Sequence, residues 1–108
     1  MNEQRLKGLL GICVRAGQAA FGEDGCRKAI ARGECGLLLT DGGMSAGSRK
    51  KYEALCRGRE IPAAQVPEGL IEAATGKTNM AMAIRKGPLL DQVTSCLETE
   101  NSGTAYHK

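Results

Sequence analysis

Gly22-Glu23-Asp24-Gly25-Cys26-Arg27-Lys28-Ala29-Ile30-Ala31-Arg32, closed by Gly33 and followed by Gly36-Leu37-Leu38-Leu39-Thr40-Asp41, sets a helix directly ahead of a strand. A glycine break delivers the chain into the helix, read as Glu23 to Arg32 with Gly33 as its stop. The run that follows is continuously apolar and ends in a turn, which is the pattern of a strand covered on both faces. Such a strand needs helices on either side. The segments around it supply them.

Upstream, Leu6, Leu9, Leu10 and Cys13 recur at helical spacing with Arg5, Lys7 and Arg15 on other faces, so a first helix is expected over 3–16, stopped by Gly17. A short extended piece, Gln18 to Phe21, joins it to the second helix. Downstream, the loop Gly42 to Gly47 leads to a basic helix, Arg49 to Arg57, with Tyr52, Leu55 and Cys56 on its inner side. Ile61 to Val66 reads as a strand that Pro62 pushes toward a sheet edge. Pro67 suits the first turn of a short helix through Ala74. Asn79 to Ile84 is a further strand, and Gly87-Pro88 opens a last helix whose core stripe is Leu89, Leu90, Val93 and Leu97. The alternation predicts a three-layer α/β/α sandwich around a small mixed sheet of about four strands. One domain over 1–98 and a polar tail over 99–108, with His107 solvated, complete the expected organisation.

The 108 residues, 42% hydrophobic, suffice for one core and not for two ordinary domains. Net charge is only +3, but the cations concentrate in residues 1–86 and the acids Asp91, Glu98 and Glu100 follow them. An anionic partner is therefore expected on the body. Five scattered cysteines, Cys13, Cys26, Cys35, Cys56 and Cys96, contain no C-x-x-C pair, which argues against a zinc site or a disulfide framework. Reduced thiols point to the cytoplasm. The apolar stretch Leu9 to Val14 is too short for a signal peptide or membrane span.

Several apparent motifs fail on spacing. Gly76-Lys77-Thr78 resembles the end of a phosphate loop, but the required glycine five residues earlier is Ile71. Asp41-Gly42-Gly43 lacks the spacing of a dinucleotide loop and reads as a turn. Arg49-Lys50-Lys51 reads as a solvated helix face. The only histidine lies in the tail, and no nucleophile, base and orienting group occur together, so neither enzymatic chemistry nor a cofactor is expected.

The opening turn of the second helix is more specific. Glu23 and Asp24 would repel the phosphate that a bare helix N-terminus attracts. Two readings fit them: acids that complement the helix dipole, or acceptors for base amino and imino edges, with Arg27 and Lys28 one turn later to meet phosphate or guanine acceptors. With only Phe21, Tyr52 and Tyr106 as aromatics, a stacking sheet for single strands is not expected. Structured RNA, recognised through shape, base edges and charge, is the expected partner, and DNA is not.

Three stretches carry a family resemblance: Leu9-Leu10-Gly11 through Arg15-Ala16-Gly17; Gly22 through Ile30 into Leu37 to Asp41; and Ile61-Pro62 through Val66 to Gly76-Lys77. From about Leu6 to Leu97 the chain resembles the L-seven-Ae kink-turn RNA-binding ribosomal family, in particular its bacterial YlxQ-like branch. Archaeal and eukaryotic members open the second helix with G-x-N-E-x-x-K. Gly22 and Lys28 match, Asp24 stands at the asparagine, and Gly25 replaces the glutamate. The resemblance implies a non-enzymatic protein that reads kink-turn or ribosomal RNA with Gly22, Glu23, Asp24, Gly25, Arg27 and Lys28. It also implies that a loop, here Val66-Pro67-Glu68-Gly69-Leu70, covers an extruded nucleotide. The competing reading is a protein interaction module whose apolar loop near Pro67 to Leu70 meets a partner.

Overall fold

The computed structural model describes residues 2–98, so the expected tail at 99–108 lies outside the described residues. Five helices and four strands follow one another as α1 (Glu3–Arg15), β1 (Ala19–Phe21), α2 (Gly22–Ala31), β2 (Cys35–Asp41), α3 (Ala46–Gly58), β3 (Ala63–Val66), α4 (Leu70–Thr75), β4 (Ala81–Arg85) and α5 (Pro88–Glu98). The sheet order is β1-β4-β2-β3. β2 and β3 are parallel, whereas β4 runs antiparallel to both β1 and β2. The sandwich expected from the sequence is the fold observed.

Strand alternation assigns the two faces. Leu37 and Leu39 of β2 and Met82 and Ile84 of β4 pack with Leu6, Leu9, Leu10 and Cys13 of α1, Ile71 of α4 and Val93, Cys96 and Leu97 of α5. On the other face Leu38, Ala63, Ala81 and Ala83 meet Cys26, Ala29 and Ile30 of α2 and Cys56 of α3. That second face is mostly alanine, which lets α2 approach the sheet closely. Leu89 and Leu90, expected in the stripe of α5, are only partly buried, and Cys96 takes the core position instead.

Several boundaries differ from expectation for local reasons. α3 begins at Ala46, not Arg49, because the Ser45 side chain accepts from the Ser48 N–H at 3.2 Å and caps the helix. Pro67 is not in α4; its carbonyl accepts from the Leu70 N–H at 3.1 Å, and Gly69, at φ +85°, stands between them. β3 begins one residue after Pro62 and is an edge strand, with the Pro62 carbonyl still accepting from the Leu38 N–H at 3.0 Å. β4 begins at Ala81 rather than Asn79. All five cysteines are free and buried. Among the described residues no helix is long and apolar enough to cross a membrane.

Candidate nucleic-acid interface

The pairings Thr40↔Ala81, Asp41↔Val66 and Phe21↔Met82 bring the last residues of β1, β2 and β3 and the first of β4 to one end of the sheet. From that end spring the entry to α2, the β2–α3 turn, the β3–α4 loop and the α4–β4 segment. Phe21 is the N-cap of α2 and makes no side-chain capping bond. Gly22 follows at φ +75°, a left-handed conformation that costs glycine little and side chains of L-residues more. This positive φ bends the extended β1 into α2 within one residue.

Glu23 and Asp24 are exposed in the first turn, and Arg27 and Lys28 are exposed in the second. Glu23 accepts from Arg27 Nε at 3.1 Å across one helical turn. Both side chains are largely solvated, so the pair contributes only about 0.3–0.5 kcal/mol. It nevertheless restrains both side chains along the helix axis. Asp24 and Lys28 flank the pair, and a Cβ at Gly25 would lie 3.8 Å from the Ala20 methyl, an ordinary contact distance.

A groove of about 420 Å³ adjoins Gly22 and Glu23. Met44, Ser45, Ser48 and Tyr52 form one wall, and Thr78, Asn79, Met80 and Ala81 form the other. The Asn79 side chain lies beside Gly22, its Oδ1 3.5 Å from the point a Cβ there would occupy. Lys77 sets its ammonium 5.7 Å from the centre of the Phe21 ring, next to the same entry. The groove thus offers hydroxyls, a carboxamide, a phenol and two thioethers. Met80, at 46% exposed, is one of the two large apolar side chains most open to solvent among the described residues. Such groups suit neutral base and sugar edges.

The other expected element falls elsewhere. Pro67, Glu68, Gly69 and Leu70 line a separate hollow of about 350 Å³ with Glu3, Gln4, Lys7 and Ala73, on the α1 side. Val66 and Leu70 are buried in the core, while Pro67 is half-buried and lines the hollow with Leu70. The loop also meets the β2–α3 turn. Asp41, 4% exposed, accepts from the Gly43 N–H at 2.7 Å through Oδ1 and from the Gly69 N–H at 2.9 Å through Oδ2.

Arg49 departs from its reading as part of a solvated face. Its Nη2 donates to the carbonyls of Asp41, Gly42 and Met44 at 3.2, 3.3 and 3.1 Å. Three carbonyls converging on one nitrogen draw the side chain inward, while Lys50 and Lys51 remain exposed. Sequence reasoning had no signal for Ser45, Ser48, Thr78, Asn79 and Met80 as neighbours of the α2 entry, because sheet register alone joins them.

The thiols under α2 and α3 are chemically quiet. Burial pushes Cys26 and Cys56 up to about 12 and Cys35 up to about 11. They stay protonated at neutral pH, a poor state for a nucleophile or metal ligand. Among the described residues no cluster of His, Cys, Asp and Glu fits a metal ion.

A four-stranded mixed sheet with two helical layers and a polar groove at one sheet end defines a small α/β/α domain. No family model matches the chain, and no curated protein does. Solved structures share the fold. A Bacillus halodurans protein of unknown function is 22% identical with TM-score 0.79, over 84% of this chain and 94% of that one. The Giardia lamblia 15.5kD RNA binding protein is 15% identical with TM-score 0.68, over 85% of this chain and 80% of that one.

Proposed function

We propose that this protein binds structured RNA, kink-turn-like or ribosomal, at the entry to α2 and the groove beside it. The observation that carries the reading is the convergence of Gly22, at positive φ, with Asn79 and the hydroxyl-lined groove at the start of a helix whose second turn exposes Arg27 and Lys28. Glu23 and Asp24 accept from base edges, the cations meet phosphate or guanine acceptors, and the groove receives a nucleotide turned out of the stack. The Giardia structure of like fold is named as an RNA-binding protein, which supports the assignment. Binding the bent RNA better than the extended one shifts that equilibrium by the difference in affinity, with no chemical step. The cytoplasm, where its thiols stay reduced, is the proposed compartment.

The Val66–Leu70 loop enters this proposal as a support of the β2–α3 turn, since it shares Asp41 with that turn and is not among the residues lining the groove. The decisive experiment titrates the protein against an RNA duplex carrying a three-nucleotide bulge followed by tandem G·A pairs, across a salt series. Saturable binding that weakens steeply with salt, and weakens further when the G·A pairs are replaced by Watson–Crick pairs, is expected. No retention at low salt overturns the RNA reading.

A further inference from the structure

We infer that Arg49 and Asp41 are positioning residues for this groove, fixing its Met44–Ser45 wall from behind without touching the RNA; the inference rests on the RNA-binding reading above. Neither residue is among those lining the groove, yet together they determine where the turn that forms its wall can lie. Asp41 is nearly buried and spends one carboxylate oxygen on Gly43 and the other on Gly69, so a single side chain ties the turn to the next loop. Arg49 approaches the same turn through its carbonyls. Its Nη2 reaches the oxygen of Met44, the residue directly before the helix cap, at 3.1 Å.

The loop behind the turn leaves little room for any other arrangement. A Cβ on Gly42 would stand 3.1 Å from both the Glu68 nitrogen and the Val66 carbonyl oxygen, and one on Gly43 would stand 3.0 Å from the Glu68 side chain. The turn therefore lies close against that loop, and at Gly42 a side chain would press on backbone atoms. Arg49 Nε is buried with no partner among the described residues, so the guanidinium is held through Nη2. The two N–H donors of the one Nη2 are shared among three carbonyls of the turn, and the permanently charged guanidinium brings them there on a longer and stiffer side chain than that of lysine. Met44 is then anchored in the core, Ser45 is presented at the groove from a preset position, and less ordering is needed on binding.

The test compares Arg49→Gln, Arg49→Lys, Asp41→Asn and the exposed control Lys50→Gln, using the bulged G·A duplex as the probe and circular dichroism to confirm folding. Arg49→Gln is expected to lose at least tenfold in affinity with an unchanged slope of log affinity against log salt. Arg49→Lys, which keeps the charge, is expected to lose affinity too. A slope reduced by about one in Arg49→Gln would identify a direct phosphate contact and overturn the inference. So would affinity within twofold of the wild type. A second arm needs no RNA: amide hydrogen exchange at Gly43 and Gly69 should accelerate in Asp41→Asn, and unchanged exchange overturns the brace. Accelerated exchange in a protein that retains no RNA overturns the RNA reading and leaves the brace as a feature of the turn alone.

Discussion

Asn79 places its side-chain oxygen 3.5 Å from the position a Cβ on Gly22 would take, and so joins the start of α2 to the segment entering β4. The distance is ordinary van der Waals contact. Space at Gly22 is therefore adequate for a methyl group, and the obstacle to a side chain is the backbone, held at φ +75°. A β-branched residue tolerates that conformation worst.

Gly22→Val is accordingly expected to destabilise the fold by about 1–3 kcal/mol, the cost of one residue held in a sparsely populated conformation. RNA binding should fall with it, since the same residue aims the first turn of α2. Gly22→Asn is expected to lose less in both, because asparagine enters the left-handed region more readily. Urea midpoints and duplex titrations on the three proteins check the order, and equal midpoints would show that the positive φ is not maintained in solution.

Lys28→Ala separates binding from folding. Lys28 is exposed in the second turn of α2, and replacing an exposed helical lysine with alanine leaves helix propensity nearly unchanged. Affinity for the bulged duplex should drop by about 1–3 kcal/mol if the ammonium meets a base edge. Arg27→Ala should cost less, because Arg27 already shares its charge with Glu23 at 3.1 Å. Isothermal titration of both variants decides between them, and full affinity in Lys28→Ala would remove this residue from the interface.

Alkaline pH should weaken the fold. The unfolded thiols titrate near 9, whereas burial holds Cys26 and Cys56 at about 12 and Cys35 at about 11 in the folded chain. Between those values the folded state binds more protons than the unfolded state, so stability is full below pH 9 and declines as pH rises toward 11–12. Each thiol contributes a slope of up to about 1.4 kcal/mol per pH unit there. Burial also raises Tyr52, which acts in the same direction above its ordinary value of 10. Urea denaturation at pH 7, 9 and 10.5 should show a falling midpoint, and Cys35→Ala should reduce the slope; a midpoint independent of pH contradicts the burial of these thiols.

What the sequence disclosed follows from the range of the forces involved. The stripe Leu6, Leu9, Leu10 and Cys13 and the run Leu37 to Leu39 are local patterns, and burial turned them into α1 and β2 as read. Ser45 was a cap hidden by Gly47, whose presence in the first helical turn made the segment resemble a loop. Arg49 sat in a run of three cations, and its inward turn depends on carbonyls gathered by a turn that the sequence identified but did not orient. Asp41 was legible as a turn residue through its bond to Gly43, but its second bond, to Gly69, is set by the parallel pairing of β2 and β3. The groove combines residues from three separate segments, which the β1–β4 and β2–β4 pairings bring together.

The helix entry itself can be tested by moving it toward the archaeal and eukaryotic pattern. If the resemblance holds, Asp24 and Gly25 stand at the asparagine and glutamate of that pattern, and this chain then lacks both the amide that donates and accepts and the carboxylate after it. Gly25 has room for a side chain, since its nearest neighbours would lie 3.8 Å from a Cβ and its φ is not in the left-handed region. The double change Asp24→Asn with Gly25→Glu is expected to bind a standard kink-turn more tightly than the wild type, by about 1–3 kcal/mol for one restored bidentate base contact. Removing a glycine from the helix should also add up to about 1 kcal/mol of stability. Affinities must therefore be compared at a temperature where both proteins are fully folded. Titrating each protein against the kink-turn and against a control with its G·A pairs disrupted gives four constants. A gain confined to the intact kink-turn identifies the first turn of α2 as the reader of the G·A pairs, whereas four equal constants would place base recognition away from this turn.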